Sequence, residues 1–148
     1  MICCFFGHRN TPGEVEPFLR RELERLIRDR GAELFYVGNH GRFDAMALRV
    51  LRDMKAAYPH IRYYVVLAYV PRPGRTAESY APEETLLPEG IENVPPRFAI
   101  VWRNRWMARR ADSVVAYVIN SFTNGAAASV KYARRKNKLI INIADQMN

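Results

Sequence analysis

Short apolar segments alternate with amphipathic segments along the chain, and this alternation constrains the fold more than any other feature of the sequence. Strands separated by helices pair in parallel, because each crossover returns the chain to the same edge of the sheet. The apolar segments also lack polar alternation, which is typical of strands covered on both faces. We therefore predict a doubly wound α/β sandwich with helices on both faces and about five mainly parallel strands, at residues 2–6, 33–37, 62–70, 112–118 and 138–143.

Amphipathic segments with apolar residues at three- and four-residue steps predict the helices of this sandwich. The first helix has the clearest start signal, with Thr11 as N-cap, Pro12 at the first helical position and Glu14 completing a capping box. Gly31 is expected to end that helix. Two further helices are predicted over residues 42–58 and 125–136.

The length and composition predict one globular domain over residues 1–148. The chain is 49% apolar and 26% charged, the balance of an ordinary domain that can bury a core. Residues 71–98 interrupt the alternation, since they hold six of the nine prolines and show no sustained period. A connection of that length is usually a lid over a functional site or a poorly ordered insertion, and both interpretations stay open.

The net charge of +8 predicts a surface that attracts anions such as phosphates, nucleotides or nucleic acid. The same charge would also serve solubility alone, because the basic residues are scattered along the sequence. The charge by itself therefore predicts an anionic partner without naming it.

The cysteine and histidine pattern predicts neither a metal site nor a cofactor. Cys3 and Cys4 are adjacent in an apolar strand, where we expect buried, reduced thiols. No paired Cys or His spacing is typical of zinc ligands. The N-terminal segment lacks the features of a signal peptide and no segment has the length of a membrane span, so we expect a cytoplasmic protein without a membrane partner.

The residues that directly follow the predicted strands are the candidates for a ligand site. In open parallel sheets, ligands bind beyond the carboxyl ends of the strands, where free N–H groups at helix N-termini attract anions. Arginines in these loops would add charge-assisted hydrogen bonds to a phosphate. The candidate ligand-binding residues of the loops are Gly7, His8, Arg9, Gly38, Asn39, Gly41, Arg42, Asp44, Ser121, Asn124 and Gly125.

These loops match no phosphate-binding fingerprint of fixed spacing. The stretch "GNHG" (38–41) lacks the third glycine of the dinucleotide motif and the Gly-Lys-Ser/Thr of a P-loop. Glycines after strands also occur simply as turn residues. Asp44, in the first turn of the second helix, would complement the helix dipole. Alternatively, it would accept hydrogen bonds from ribose hydroxyls or act as an acid or base, which makes it the candidate catalytic residue.

The stretch "FAIVWRNRWMARRADS" (98–113) mixes aromatic and cationic side chains. In one interpretation Trp106 stacks on a base and Arg103 neutralises a phosphate. In the other, the segment is an ordinary helix with one tryptophan in its buried stripe and arginines on its solvent face.

Several motifs over most of the chain resemble the SLOG superfamily, Rossmann-like proteins that include DNA-processing protein A and the Lonely Guy nucleotide phosphoribohydrolases. The motifs are "CCFFGHR", "YVGNHGRFDAMA", "TLLPEGIENVPPRFAIVWRNRWM", "ADSVVAYV" and "NGAAASVKYARRKNKLIINI". The resemblance implies a Rossmann-like fold and an ordered proline-rich cover over the site. The matching positions are Gly7, His8, Arg9, Gly38, Gly41, Asp44, Arg103, Asn104, Arg105, Trp106, Met107 and Asp112.

The resemblance also implies binding of nucleotides, nucleotide sugars or related signalling molecules, with cleavage of an N-glycosidic bond in some members. Members of the superfamily usually have a Gly-Gly pair before the last helix, and the phosphoribohydrolases have a catalytic glutamate at the beginning of that helix. This chain has Asn124 and Gly125 and then "AAASVKYARRK" without an acid. Because glycoside cleavage needs a carboxylate, we expect binding or sensing of a phosphorylated nucleoside derivative.

Two alternatives to that function stay open. In an N-glycosidase, Asp44 or an acid from residues 78–92 would replace the missing glutamate. Nucleic-acid binding is the third hypothesis, and it ranks lower because no recognised nucleic-acid motif is present. Relatives often pair through helices, so a homodimer is compatible with the resemblance.

Overall fold

Six parallel strands form one twisted sheet in the computed structural model, which describes residues 1–71, 80–119 and 125–147. Four helices cover the sheet, and short 3₁₀ turns connect several elements. The predicted parallel, Rossmann-like α/β sandwich is confirmed. The strands are β1 (Ile2–Gly7), β2 (Leu34–Val37), β3 (Arg62–Val66), β4 (Thr85–Leu86), β5 (Ser113–Tyr117) and β6 (Leu139–Asn142), and the helices are α1 (Glu16–Arg30), α2 (Arg42–Ala57), α3 (Pro96–Arg110) and α4 (Gly125–Arg135).

The strand order shows that the chain extends from β1 in both directions across the sheet. The order is β4-β3-β2-β1-β5-β6, so the chain first builds outward from β1 on one side and then crosses to the other side with β5. The boundary between β1 and β5 is therefore the topological switch point, beyond which open α/β sheets bind their ligands.

Two apolar layers fill the space between the sheet and its helices. One layer contains Cys3, Phe5 and Phe35 with the apolar stripes of α1 and α2. The other contains Cys4 and Trp106 with the inner faces of α3 and α4. Because neighbouring side chains on a strand point to opposite faces, the two cysteines lie in different layers, and both are buried free thiols as expected.

The predicted capping box of α1 is wrong. A 3₁₀ turn at Gly13–Val15 precedes the helix, which begins at Glu16, and no side-chain cap is formed. The hydroxyl of Thr11 instead donates to the carbonyl of His8 at 2.6 Å, which ties the turn to the end of β1. The other end agrees with the sequence, because Gly31 ends the helix with a φ of 72°.

The proline-rich segment contains more regular structure than its sequence predicts. Its described part, residues 80–98, includes the two-residue strand β4, which adds a sixth strand beside β3, and the first turn of α3. Residues 72–79 of the predicted lid lie outside the described residues. None of the described helices is long and apolar enough to cross a membrane.

Candidate anion-binding cleft

A cavity of about 230 Å³ opens at the carboxyl end of β1. Its walls come from β1 and the residues after it, the β2–α2 loop, α3 and the first residues of α4. This is the edge of the sheet at which the sequence predicts a ligand site. The residues that line the cleft are Phe5, Phe6, Gly7, His8, Arg9, His40, Asp44, Ile100, Arg103, Asn104, Met107, Gly125 and Ala126.

Close contact between the loops after β1 and β2 holds two walls of the cleft together. The N–H of Arg42 donates to the carbonyl of Arg9 at 3.0 Å. Gly41 has a φ of 96°, and a Cβ there would lie 2.8 Å from the Cα of Arg9. A side chain at position 41 would therefore force these loops apart.

Arg103 is the most unusual side chain of the cleft, because its guanidinium is buried with a relative exposure of only 1%. Four neutral acceptors hold it in place. Its Nε donates to the Oδ1 of Asn104 at 2.9 Å, and its Nη1 donates to the carbonyl of Val66 at 2.7 Å and the Oδ1 of Asn39 at 3.1 Å. The fourth acceptor is the Nδ1 of His40, 3.2 Å from Nη2.

The buried guanidinium makes no salt bridge with any carboxylate in the described residues. Burial lowers the pKa of Arg103, while the charge of Asp44 acts in the opposite direction. Arginine nevertheless stays protonated in proteins. One N–H of Nη2 remains available after the bond to His40, so a cation with an unused donor lies at the wall of the cleft.

One stripe of α3 faces the cleft. Ile100, Arg103, Asn104 and Met107 recur at the three- and four-residue steps that share a helix face. The Nδ2 of Asn104 also donates to the hydroxyl of Ser129 at 3.2 Å, which fixes α3 against α4. The segment is thus a helix, but its central arginine points inward, unlike the solvent-facing arginines of the helical interpretation.

Gly38 has no side chain, and the space beside it is occupied by two charged groups that line the cleft. A Cβ at this buried position would lie 2.8 Å from the Oδ2 of Asp44 and 3.0 Å from the Cζ of Arg103. Only a residue without a side chain therefore lets both groups occupy their present positions.

Asp44 is a half-buried carboxyl group at the start of α2. Its Oδ2 accepts the N–H of His40 at 2.9 Å. Burial raises its pKa to about 6, although that hydrogen bond and the charge of Arg103 lower it. The carboxylate therefore occupies part of the N-terminal region where the sequence predicts free amides for a phosphate, and the N–H of Arg42 is likewise paired within the protein.

The two histidines of the cleft are both held neutral. Burial, together with the charges of Arg103 and Arg9, lowers the pKa of His40 to about 4. Burial also lowers the pKa of His8, whose Nε2 accepts the N–H of Ile119 at 2.9 Å. Neither ring lies in a group of three or more residues that could hold a metal within the described part of the chain.

Other residues singled out by the sequence lie elsewhere. Trp106 packs in the core, with its ring 5.2 Å from that of Tyr36 and the guanidinium of Arg110 over its face. The carboxylate of Asp112 accepts the N–H of Ile2, at the amino end of β1, away from the cleft. Ser121 and Asn124 lie outside the described residues.

Residues that the loop pattern did not identify also line the cleft. Phe5 and Phe6 at the end of β1, Ile100 and Met107 on α3 and Ala126 at the start of α4 form its apolar walls. Helical spacing from Arg103 would have found the two residues of α3, whereas the contribution of β1 depends on the topology of the sheet.

Comparison with known proteins identifies a structural neighbour of this protein. The fold is similar to a structure of DNA processing protein A from Helicobacter pylori, described for its single-stranded DNA binding mode, with a TM-score of 0.65 and 14% sequence identity. The match covers 99% of this chain and 71% of that chain, and at this identity it shows a similarity in fold alone. No protein-family model and no curated protein matches the sequence.

Proposed function

We propose that the cleft binds the phosphate group of a nucleotide, with the buried guanidinium of Arg103 as its principal ligand. The burial of Arg103 without a carboxylate partner in the described residues carries this proposal. A buried charge is costly unless an opposite charge or several hydrogen bonds compensate it. A phosphate would place a negative charge at hydrogen-bond distance from the guanidinium, which Asp44 does not, and would accept the remaining N–H of Nη2.

The surroundings of Arg103 favour an anion as well. Arg9 is exposed beside the cleft and adds a second positive charge. Gly125 and Ala126 bring the N-terminal end of α4, with its positive partial charge, to the same cavity. Apolar walls from Phe6 and Ile100 would exclude water and strengthen the attraction.

The phosphate could belong to a free nucleotide or to one unit of single-stranded DNA. The cavity of about 230 Å³ is smaller than the roughly 300–1,000 Å³ of pockets that enclose a whole drug-sized ligand, so it suits a phosphate and its sugar. The net charge of +8 and the similarity in fold to a single-stranded DNA-binding protein support the second source.

Binding measurements with matched ligands test the proposal. By calorimetry, adenosine monophosphate is expected to bind, whereas adenosine without phosphate is not. Arg9→Ala should weaken binding about tenfold, whereas Arg62→Ala, which removes an exposed arginine of β3, should leave it unchanged. Binding of oligo-dT that Arg9→Ala weakens, without binding of the mononucleotide, would assign the cleft to single-stranded DNA. Equal affinities for nucleotide and nucleoside would contradict phosphate recognition.

Asp44 supports an N-glycosidase as the second candidate function. Its pKa of about 6 leaves the carboxyl group partly protonated near neutral pH, as a general acid requires, and it lines the same cleft. Release of free base from nucleoside monophosphates, abolished by Asp44→Asn, would establish this activity. A wild-type protein that binds the nucleotide without releasing base would exclude it for that substrate.

A further inference from the structure

The net positive charge of the protein is confined to the last third of its sequence. Residues 93–148 contain ten of the 23 Lys and Arg side chains but only two of the 15 Asp and Glu side chains. Residues 1–92 contain thirteen of each and are neutral. The basic residues are spread along the whole sequence, but the excess of positive over negative charge lies in residues 93–148.

The fold places this excess charge on one face. Helices α3 and α4 pack together on the sheet face opposite α1 and α2. Within the described residues, all six ion pairs involve side chains from residues 16–84. No Lys or Arg side chain of α3 or α4 lies within ion-pair distance of a carboxylate there, so this layer carries cations without internal anions.

Four of these cations surround the ring of Tyr132 on α4. The guanidinium of Arg105 lies 4.9 Å from the ring centroid, that of Arg135 lies 5.7 Å away, and the ammonium of Lys136 lies 5.6 Å away. Arg109 donates to the phenolic oxygen at 3.2 Å. Burial acts to raise the pKa of Tyr132, but the hydrogen bond from Arg109 and the surrounding charges lower it overall.

Pairs of cationic and aromatic side chains recur along the same layer. Arg97 lies 4.8 Å from the ring centroid of Phe98, which is half exposed, whereas Arg110 lies 3.9 Å from that of Trp106, whose ring is buried in the core. Five of the six cation–aromatic contacts in the described residues involve α3 or the segment that includes α4 and Lys136, and the sixth lies on α1. Cations that follow a phosphate backbone and rings that stack on bases are the two components of single-strand binding surfaces.

We propose that a basic surface formed by Arg105, Arg109, Tyr132, Arg135 and Lys136 binds the phosphate backbone of single-stranded nucleic acid. The cations lack carboxylate partners, so phosphates would displace water, counterions and the contacts with Tyr132 but would break no ion pair. The ring of Tyr132 would offer a base a stacking partner once the cations around it contact phosphates. This surface is separate from the cleft, and none of its five residues lines that cavity.

A charge-reversal pair with a matched control tests the basic surface. Arg109→Glu with Arg135→Glu changes the last turns of α3 and α4. Arg28→Glu with Arg30→Glu makes the same change in net charge in the last turn of α1, so it also controls for the helix dipole. Fluorescence anisotropy with labelled oligo-dT should show at least about tenfold weaker binding for the first pair. The control pair should stay within about threefold of wild type.

The salt dependence gives a second readout. Each lost phosphate contact should reduce the slope of log K against log salt by about 0.7, so the Arg109/Arg135 pair should lower it by about 1.4. Equal weakening by both pairs would overturn the proposal, because net charge alone would then explain binding. Binding of acidic lipid vesicles without binding of oligo-dT would overturn it as well.

A Tyr132 variant and binding of the mononucleotide distinguish binding at this surface from binding elsewhere on the protein. Tyr132→Leu should weaken binding of oligo-dT but leave binding of inorganic polyphosphate, which has no bases, unchanged. Equal loss for both polyanions would contradict base stacking on this surface. The Arg109/Arg135 pair should retain any binding of adenosine monophosphate, so failure of the basic surface and failure of the cleft remain distinguishable.

Discussion

Arg103 donates a hydrogen bond from Nη2 to the Nδ1 of His40, 3.2 Å away, and so joins α3 to the β2–α2 loop across the cleft. This bond requires an unprotonated Nδ1, with the proton of the neutral ring on Nε2. Burial and the nearby positive charges lower the pKa of His40 to about 4, in agreement with that assignment. The cleft therefore contains one fixed cation and one imidazole that resists protonation.

His40→Gln should improve the relative stability of the protein in acid. The pKa of His40 falls from 6.5 to about 4 on folding, so between these values the unfolded state binds more protons and wild-type stability falls as the pH falls. Glutamine keeps an acceptor for Arg103 but does not titrate. Urea unfolding should show the variant gaining about 2 kcal/mol relative to wild type between pH 7 and pH 4.5. The exposed His60→Gln is the control, and a pH-independent difference for His40→Gln would contradict the assignment.

Asp44→Asn should tighten anion binding near neutral pH. The pKa of Asp44 is about 6, so the wild-type carboxylate is mostly charged at pH 7.5 and repels an anion in the cleft. Sulfate keeps its charge over this range, and we expect its affinity for wild type to rise about fivefold from pH 7.5 to pH 5 as Asp44 is protonated. The variant should bind sulfate tightly at both pH values. The same pH dependence in both proteins would show that Asp44 does not control the anion.

Asp44 also changes how the stability of the protein depends on pH, in the direction opposite to the effect of His40. Its pKa rises on folding from 3.8 to about 6, so the folded state binds more protons between these values and gains stability as the pH falls. The two groups titrate over overlapping ranges and partly cancel in wild type. The separate variants are therefore needed to resolve either contribution.

Helices, parallel strands and the edge of the sheet that carries the cleft could be predicted from the sequence, because they follow from local apolar patterns. The start of α1 could not, since the competing 3₁₀ turn uses Thr11 to hold the carbonyl of His8. The strand β4 is also missed, because two residues carry no recognisable period and depend on pairing with β3.

The side-chain positions inside the cleft could not be predicted from the sequence, for a different reason. An arginine in a helix is normally exposed, and the burial of Arg103 depends on acceptors from two distant segments, one with Asn39 and His40 and the other with Val66. Likewise, the sequence is compatible with Trp106 in the core or stacked on a ligand, and its contact with Tyr36 places it in the core. Such placements come from tertiary packing, which one sequence does not specify locally.

Gly7→Ala should destabilise the protein by about 3 kcal/mol. A Cβ at Gly7 would lie 2.1 Å from the Cγ of Phe43, a fully buried ring that packs against the end of β1. Thermal or urea unfolding measures the effect. Gly13→Ala is the matched control, because a Cβ there meets nothing within 4 Å, and its effect should stay within about 0.5 kcal/mol. Equal stabilities of the two variants would show that Phe43 does not pack on Gly7.

Glu84→Gln should weaken the attachment of β4 to the sheet and reduce the amount of stability that the protein loses in acid. Arg52, then Tyr63 and the N–H of Ala81, donate to this carboxylate, and these bonds lower its pKa to about 2 against the effect of burial. Its contribution is present above the ordinary value of 4.5 and is lost as the pH falls towards 2.

For Glu84→Gln we expect a loss of about 2 kcal/mol at pH 7, allowing for the partial exposure of Arg52, and a much smaller loss near pH 2. The exposed neighbour Glu83→Gln should change stability little at either pH. Urea titrations at the two pH values measure both variants. An equal loss at both pH values would mean that the charge of Glu84 is not what holds the segment.

The most direct test of phosphate recognition in the cleft follows the side-chain resonances of Arg103 by NMR during titration with adenosine monophosphate. We predict that the Arg103 Nε–H signal shifts and saturates with the dissociation constant obtained by calorimetry, while the signal of Arg62 stays in place. Saturating nucleotide that leaves the Arg103 signal unmoved would contradict the assignment of this buried guanidinium as the phosphate ligand.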